Sequence, residues 1–215
     1  RKFQELVTNF PKSNLVEESY YYLGLSRYKQ GNKVEATEAL ISLLDNPKMK
    51  KRKSEICFKL GEIKFEEGEY EQAVTFYKRM LEQYPKDELN PRAQFRIGEA
   101  YFQLKDFAQA KESFSKVRKY GKQGELLYQS IYWTGESAYN LKDFKEGLNI
   151  FSDLSREKKY AKYLPNIELK IAEGYKLSDS LDLALKKYEE VALAFPKPEQ
   201  SAEAYYRAGM INLEG

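Results

Sequence analysis

Histidine is missing from this 215-residue chain, and cysteine occurs once, as Cys57. The first absence removes the commonest general base and the commonest metal ligand together. The second forbids an intrachain disulfide. Paired carboxylates would be the only acid–base resource left. The many glutamates fall at surface helix positions, with no neighbour of distinct environment to push their pKa values apart. No enzyme, cofactor, metal or small-molecule substrate is therefore expected. Long apolar runs are absent too: nothing approaches the roughly 20 residues that cross a bilayer. The opening "RKFQELVTNFPKSN" is amphipathic and lacks the apolar core and cleavage site of a signal peptide. Charge of one sign is scarce, since 36 basic and 33 acidic residues leave +3. That balance does not mark a dedicated nucleic-acid binder.

Aromatic residues are plentiful by contrast, with 18 Tyr and 12 Phe, and a repeat gives them their places. Small residues recur every 37 positions, at Gly24, Gly61, Gly98, Gly135, Ala172 and Gly209. A second small residue follows 12 positions later, at Ala36, Ala73, Ala110, Gly147 and Ala184, and a bulky one at 16, at Leu40, Tyr77, Phe114, Phe151 and Tyr188. Proline closes "NFPKS", "QYPKD" and "AFPKP" at Pro11, Pro85 and Pro196. Each copy holds two runs of helical apolar spacing divided by a short polar break, and strand-like alternation appears nowhere. Asn32/Glu35, Asp106/Gln109 and Asp143/Glu146 read as capping boxes for the second helix. Glu69/Gln72 is a weaker version, and Ser180 is a cap without a partner. "QGN", "EGE" and "LKD" supply turn chemistry.

A glycine inside a helix costs roughly 1 kcal/mol relative to alanine, so its recurrence needs a packing reason. The expected reason is close approach of two backbones, the first glycine facing the small residue of the next helix, as Gly98 would face Ala110. Phe107 and Phe114 would then fill the space around that contact.

This helix–turn–helix unit resembles the tetratricopeptide repeat, most closely in "KLGEIKFEEGEYEQAVTFYKRMLEQYP" (59–85) and "FRIGEAYFQLKDFAQAKESF" (95–114). The usual repeat is about 34 residues, and the extra residues here fall after the proline. That lengthened form looks like bacterial envelope members of the superfamily, such as the outer-membrane-assembly lipoprotein and the periplasmic partner of the Tol–Pal system. The resemblance implies a periplasmic or envelope-associated protein. It also implies an all-α, right-handed superhelical solenoid over 1–215. The second helix of one repeat lies at 1–10, repeats at about 13–47, 50–85, 88–121, 124–159 and 161–196, and the first helix of another at 199–213. Twelve helices result. Neither end offers a polar capping element, so a longer array is expected.

The resemblance places the first helix of each repeat on the concave surface. Positions three before, one after and four after the small residue share one helix stripe. They read Tyr21-Leu25-Tyr28, Phe58-Glu62-Phe65, Phe95-Glu99-Phe102, Tyr132-Glu136-Tyr139, Leu169-Glu173-Lys176 and Tyr206-Met210-Leu213. One reading is a groove for a peptide, the rings giving contact area and Glu62, Glu99, Glu136 and Glu173 selecting a partner with basic residues. The other is core, because the neighbouring stripe carries Arg27, Lys64, Gln94 and Glu168, for which the rings would compensate. Both stand at this point. Family members that hold a C-terminal carboxylate use Lys and Asn where this chain has Glu, so that mode is disfavoured.

The links between repeats concentrate positive charge in "KMKKRK" (48–53), "KVRKYGK" (116–122) and "REKKYAK" (156–162). Lys48, Lys50, Lys51, Arg52 and Lys53 could meet an anionic membrane surface or nucleic acid. Solvated loop charge is the plainer reading, and the mixed links "PKDELN" and "PKPEQS" favour it. Trp133 is expected between helices and Cys57 in packing. The function expected is a non-catalytic protein–protein interaction scaffold in a bacterial envelope assembly. The alternative is an architectural, self-associating segment of a larger protein.

Overall fold

A computed structural model describes residues 2–47, 49, 52–121, 124–195 and 198–214. Among them are twelve α-helices and no strand, in two compact units, Arg1–Leu104 and Lys105–Gly215. The first unit contains α1 (Lys2–Asn9), α2 (Val16–Lys29), α3 (Lys33–Asp45), α4 (Lys53–Glu66), α5 (Tyr70–Gln83) and α6 (Asn90–Gln103). The second contains α7 (Phe107–Lys116), α8 (Glu125–Asn140), α9 (Phe144–Ser155), α10 (Leu164–Leu177), α11 (Leu181–Ala194) and α12 (Pro198–Glu214). Short 3-10 turns at Val117–Tyr120 and Lys158–Tyr163 precede α8 and α10. Within each unit every helix packs on its neighbours in the chain. This is the all-α helix–turn–helix repeat fold expected of a solenoid protein, in which stability comes from nearest-neighbour contacts.

The break between paired helices is built the same way each time. In the α2–α3 turn, Gly31 N–H donates to the Tyr28 carbonyl and Asn32 N–H to the Arg27 carbonyl, both at 3.0 Å. The α4–α5, α8–α9 and α10–α11 turns repeat this pair of bonds. It is a Schellman closure, and it needs left-handed backbone at the residue after the cap. Gly31 (φ 85°) and Gly68 (φ 78°) supply it freely, whereas Lys105 (59°), Lys142 (62°) and Asp179 (60°) adopt it with a side chain. The next residue begins the following helix. Asp106 and Asp143 cap there, accepting from the Gln109 and Glu146 amides at 3.1 and 3.0 Å. Asn32, Glu69 and Ser180 hold the same position without a side-chain cap bond, so three of the five expected caps work through the backbone closure alone. Pro11 and Pro85 stand just beyond α1 and α5, where a helix cannot continue. Pro196 lies outside the described residues.

The recurrent glycine faces a different group from the one expected. A Cβ on Gly61 would lie 2.5 Å from the Tyr77 ring, one on Gly135 2.6 Å from Phe151, and one on Gly24 2.9 Å from Leu40 Cδ2. The bulky residue 16 positions on, not the small one at 12, fills the glycine notch. Tyr77, Phe151 and Leu40 are fully buried as a result. Ala36, Ala73, Ala110 and Ala184 are themselves completely enclosed, and the Ala36 carbonyl comes within 3.9 Å of a Cβ on Gly24, so the small residue lets the helix approach behind the bulky side chain. Gly98 and Ala110 fall in different units.

Candidate functional site

The first helices carry the stripe named above, and the structure sorts its rings. Tyr21, Phe58 and Phe95 are buried, and Tyr132 is half-buried. Tyr28, Phe65 and Phe102 are half-buried, each keeping part of its ring at the surface. Tyr139 behaves otherwise. It is enclosed, its hydroxyl donates to the Lys170 carbonyl at 3.0 Å, and its ring occupies the space that Cβ atoms on Gly147 and Gly174 would need. Glycine replaces alanine at 147 to admit that ring. Tyr139 is a core residue.

The carboxylates of the stripe are already partnered within the chain. In the first unit Lys59 Nζ lies 3.2 Å from Glu62, and Arg96 lies 4.0 Å from Glu62 and 2.8 Å from Glu99. In the second, Lys170 Nζ is 3.0 Å from Glu136 and 2.9 Å from Glu173, while Arg207 is 3.5 Å from Glu173 and 2.6 Å from Glu203. Each cation thus bridges the glutamate of its own repeat and, in three cases, that of the repeat before. The cations also cover rings. Lys59 Nζ is 4.0 Å from the Tyr28 ring centre, Arg96 5.5 Å from Phe65, Arg92 5.2 Å from Phe58 and Lys170 5.8 Å from Tyr132. Cation–π attraction of this kind adds to the charge pairing.

Electrostatics follow from that geometry. Burial raises the carboxyl pKa values of Glu99 and Glu136 above the usual range, against the pull of Arg96 and Lys170 respectively. For Lys170 burial disfavours the charge, but Glu136 and Glu173 outweigh it and the ammonium pKa is raised. One Glu136 oxygen, Oε1, is buried without a hydrogen-bond partner. The Tyr28 hydroxyl donates to Glu66, and its pKa rises to about 12 through burial and that carboxylate.

Two matches to the tetratricopeptide repeat model, at residues 21–88 and 64–131, together span more than half of this sequence. The chain belongs to the tetratricopeptide repeat family. No curated protein sequence matches it significantly. Its backbone is similar to that of the apo form of RapI, at TM-score 0.78 and 16% identity, covering 98% of this chain and 63% of that one. The chain thus spans less than two thirds of RapI's length. It is also similar to MamA from Desulfovibrio magneticus RS-1, at TM-score 0.65 and 15% identity over 85% and 97% of the two chains. A tetratricopeptide repeat protein from Parabacteroides merdae matches at TM-score 0.67 and 15% identity over 91% and 77%. At these identities the likeness is one of fold.

Tetratricopeptide repeat proteins typically mediate protein–protein interactions, and theirs is a scaffold fold rather than a catalytic one. Three polar residues of the neighbouring stripe are ion-paired within the chain. Lys64 pairs with Glu67 and Glu69 at 2.9 and 3.2 Å, Arg27 with Glu35 at 3.8 Å and Glu168 with Lys187 at 2.5 Å. Of the expected basic edge, Lys48, Lys50 and Lys51 lie outside the described residues. Arg52 is held by Glu18 and Glu55 at 2.6 and 2.7 Å, and Lys53 donates to the Leu44 carbonyl at 2.9 Å. Trp133 stacks on Phe114 with ring centres 6.2 Å apart. Cys57 is fully buried, and burial pushes its thiol up to about 11, away from reactivity.

The bridging cations were not anticipated from sequence. Their signal was present: two positions before the small residue stand Lys59, Arg96, Lys170 and Arg207, and the remaining copies have Tyr22 and Trp133. A search for apolar and small positions passes over a basic residue in register.

Proposed function

We propose that this chain is a non-catalytic scaffold that holds a peptide or partner protein along its first helices, on the concave groove that such helices line in this family. The half-buried rings of Tyr28, Phe65 and Phe102, repeating beside paired charges within the first unit, carry the reading. They offer apolar area in a fixed array, and aromatic anchors of that kind dominate binding energy in many interfaces. The glutamates are bridged by Lys59, Arg96, Lys170 and Arg207, so a partner's basic residues must displace cations already in place. Selection by ring shape and hydrogen bonding is the stronger basis than net positive charge. A bacterial envelope assembly is the setting implied by the resemblance of the lengthened repeat and its F/Y-P-K links to envelope members of the superfamily.

The test is recovery of partners from the native source on immobilised protein. Tyr28→Ala with Phe65→Ala trims surface-reaching rings, and retention of far-ultraviolet dichroism checks the fold. Loss of a partner from the folded variant supports the groove, and undiminished recovery rejects it.

A further inference from the structure

A second surface in the unit Lys105–Gly215 is lined by none of the stripe residues. The start of α8, the end of α9 and the 3-10 turn Lys158–Tyr163 enclose two adjoining hollows of about 410 Å³ each, which share Leu127, Lys159 and Tyr160. The first hollow, walled by Leu127, Tyr160 and Tyr163, is apolar, and the second sets Ile131 and Leu154 beside charged side chains. The frame is stiff, because Tyr128 and Tyr163 stack face to face with centres 3.8 Å apart and Tyr160 packs on the same ring at 5.5 Å. Lys159 and Lys162 lie over the Tyr160 and Tyr163 rings at 4.8 and 4.3 Å. Either hollow is large enough for one bulky side chain.

The rim is asymmetric in charge. Its three carboxylates are each engaged: Glu157 with Lys159 at 3.3 Å, Glu125 with Lys162 at 3.0 Å and Asp153 with Arg156 at 3.1 Å. Arg118, on the rim, and Lys158, in the turn beside it, are exposed and have no carboxylate within ion-pair distance among the described residues. Exposed pairs such as Lys162–Glu125 are weak, so both lysines can turn to an incoming carboxylate. We infer that this cleft docks an acidic peptide segment of a partner protein, with a large apolar side chain in the hollow and flanking Asp or Glu on Arg118, Lys158, Lys159 and Lys162. The apolar hollow argues against a polyphosphate or an anionic lipid surface as the occupant, since either would leave it unfilled.

Fluorescence anisotropy tests this with labelled 12-residue peptides in which Phe, Leu or Trp is flanked by Asp and Glu, titrated with the whole chain. Binding is expected to weaken about tenfold in Arg118→Glu with Lys158→Glu, and to fall as salt rises. Replacing the peptide's apolar residue by Ser should abolish it. Leu127→Asn gives an independent check on the hollow, and the charge-reversed variant keeps the test decisive where that change disturbs folding. Equal binding by a Lys-flanked peptide, indifference to charge reversal, or no binding by any acidic peptide overturns the proposal. So does equal affinity for the Ser-substituted peptide, or binding only to phosphatidylserine vesicles or to a second copy of the chain. None of these variants touches Tyr28 or Phe65, so the first-helix groove stands or falls separately.

Discussion

At the scale of single residues, the repeating glycine is fixed by the ring that fills its notch. Gly61 faces the buried Tyr77 ring at 2.5 Å. Gly61→Ala gains helix propensity of about 1 kcal/mol but must displace an enclosed ring, for a net loss of about 2 kcal/mol. Urea denaturation of the variant checks the sign, and a variant as stable as the parent would contradict the packing account. The turns offer a contrast. Lys142 holds φ 62° where Gly68, at the same position two repeats earlier, holds 78°. Lys142→Gly relieves left-handed strain of about 1 kcal/mol, and Gly68→Ala introduces as much. A rise in midpoint for the first and a fall for the second is the expected pair of results.

At the scale of elements, the ion ladder shows what a sequence reveals and what it hides. Helix pairs, turn positions and buried Leu40, Tyr77 and Phe151 were legible because each repeats with period 37 and obeys helical spacing. The glycine's true neighbour was less so: spacing says that a helix approaches closely, but which of Ala73 or Tyr77 meets Gly61 depends on rotation about the helix axis. The glutamates were legible as a stripe, but their pairing was not read: the i,i+3 pairs within a repeat have a local signature that a search for apolar positions passes over, and the pair 34 residues apart has none. That pairing makes stability depend on pH. Lys170 and Glu136 are largely buried, 18% and 17% exposed. Lys170→Met leaves Glu136 beside Glu173 with Arg207 as the nearest remaining cation of the ladder, at a cost of about 3 kcal/mol near neutral pH. The Glu136 pKa is raised in the folded protein, so on acidification it takes up its proton before the unfolded chain does. The cost of Lys170→Met should therefore shrink as pH falls from 7 towards the ordinary carboxylate value. In the parent chain the raised Lys170 pKa works at the other end. Its contribution is complete below the unfolded lysine value and is lost as pH rises through the folded one. Denaturation curves of parent and variant between pH 4 and 8 decide the acid limb, and a cost that does not change with pH would refute the ladder.

At the scale of the whole molecule, packing between adjacent helices and adjacent repeats within each unit has a consequence that a globular core lacks. The first unit has one continuous cluster running from Tyr21 to Ala100, while the second has two, one around Tyr128, Phe151 and Ile167 and one around Ala172, Tyr188 and Ala204. Disturbance should travel along the array and weaken with each interface crossed, since repeat stability is a sum of intrinsic and nearest-neighbour terms. Gly61→Ala is the probe, because it loosens the contact between α4 and α5 at Tyr77. Amide hydrogen exchange in the variant should rise most in α4 and α5, less in α3 and α6, and remain at the parent level in α10 and α11. Exchange that rises equally in every helix would mean that the 215 residues open as one cooperative body. In that case a partner bound on the first helices would stabilise all of them together. Graded exchange instead confines the protection from a bound peptide to the repeats it touches, so mapping protection with and without a captured partner would also locate the docking site.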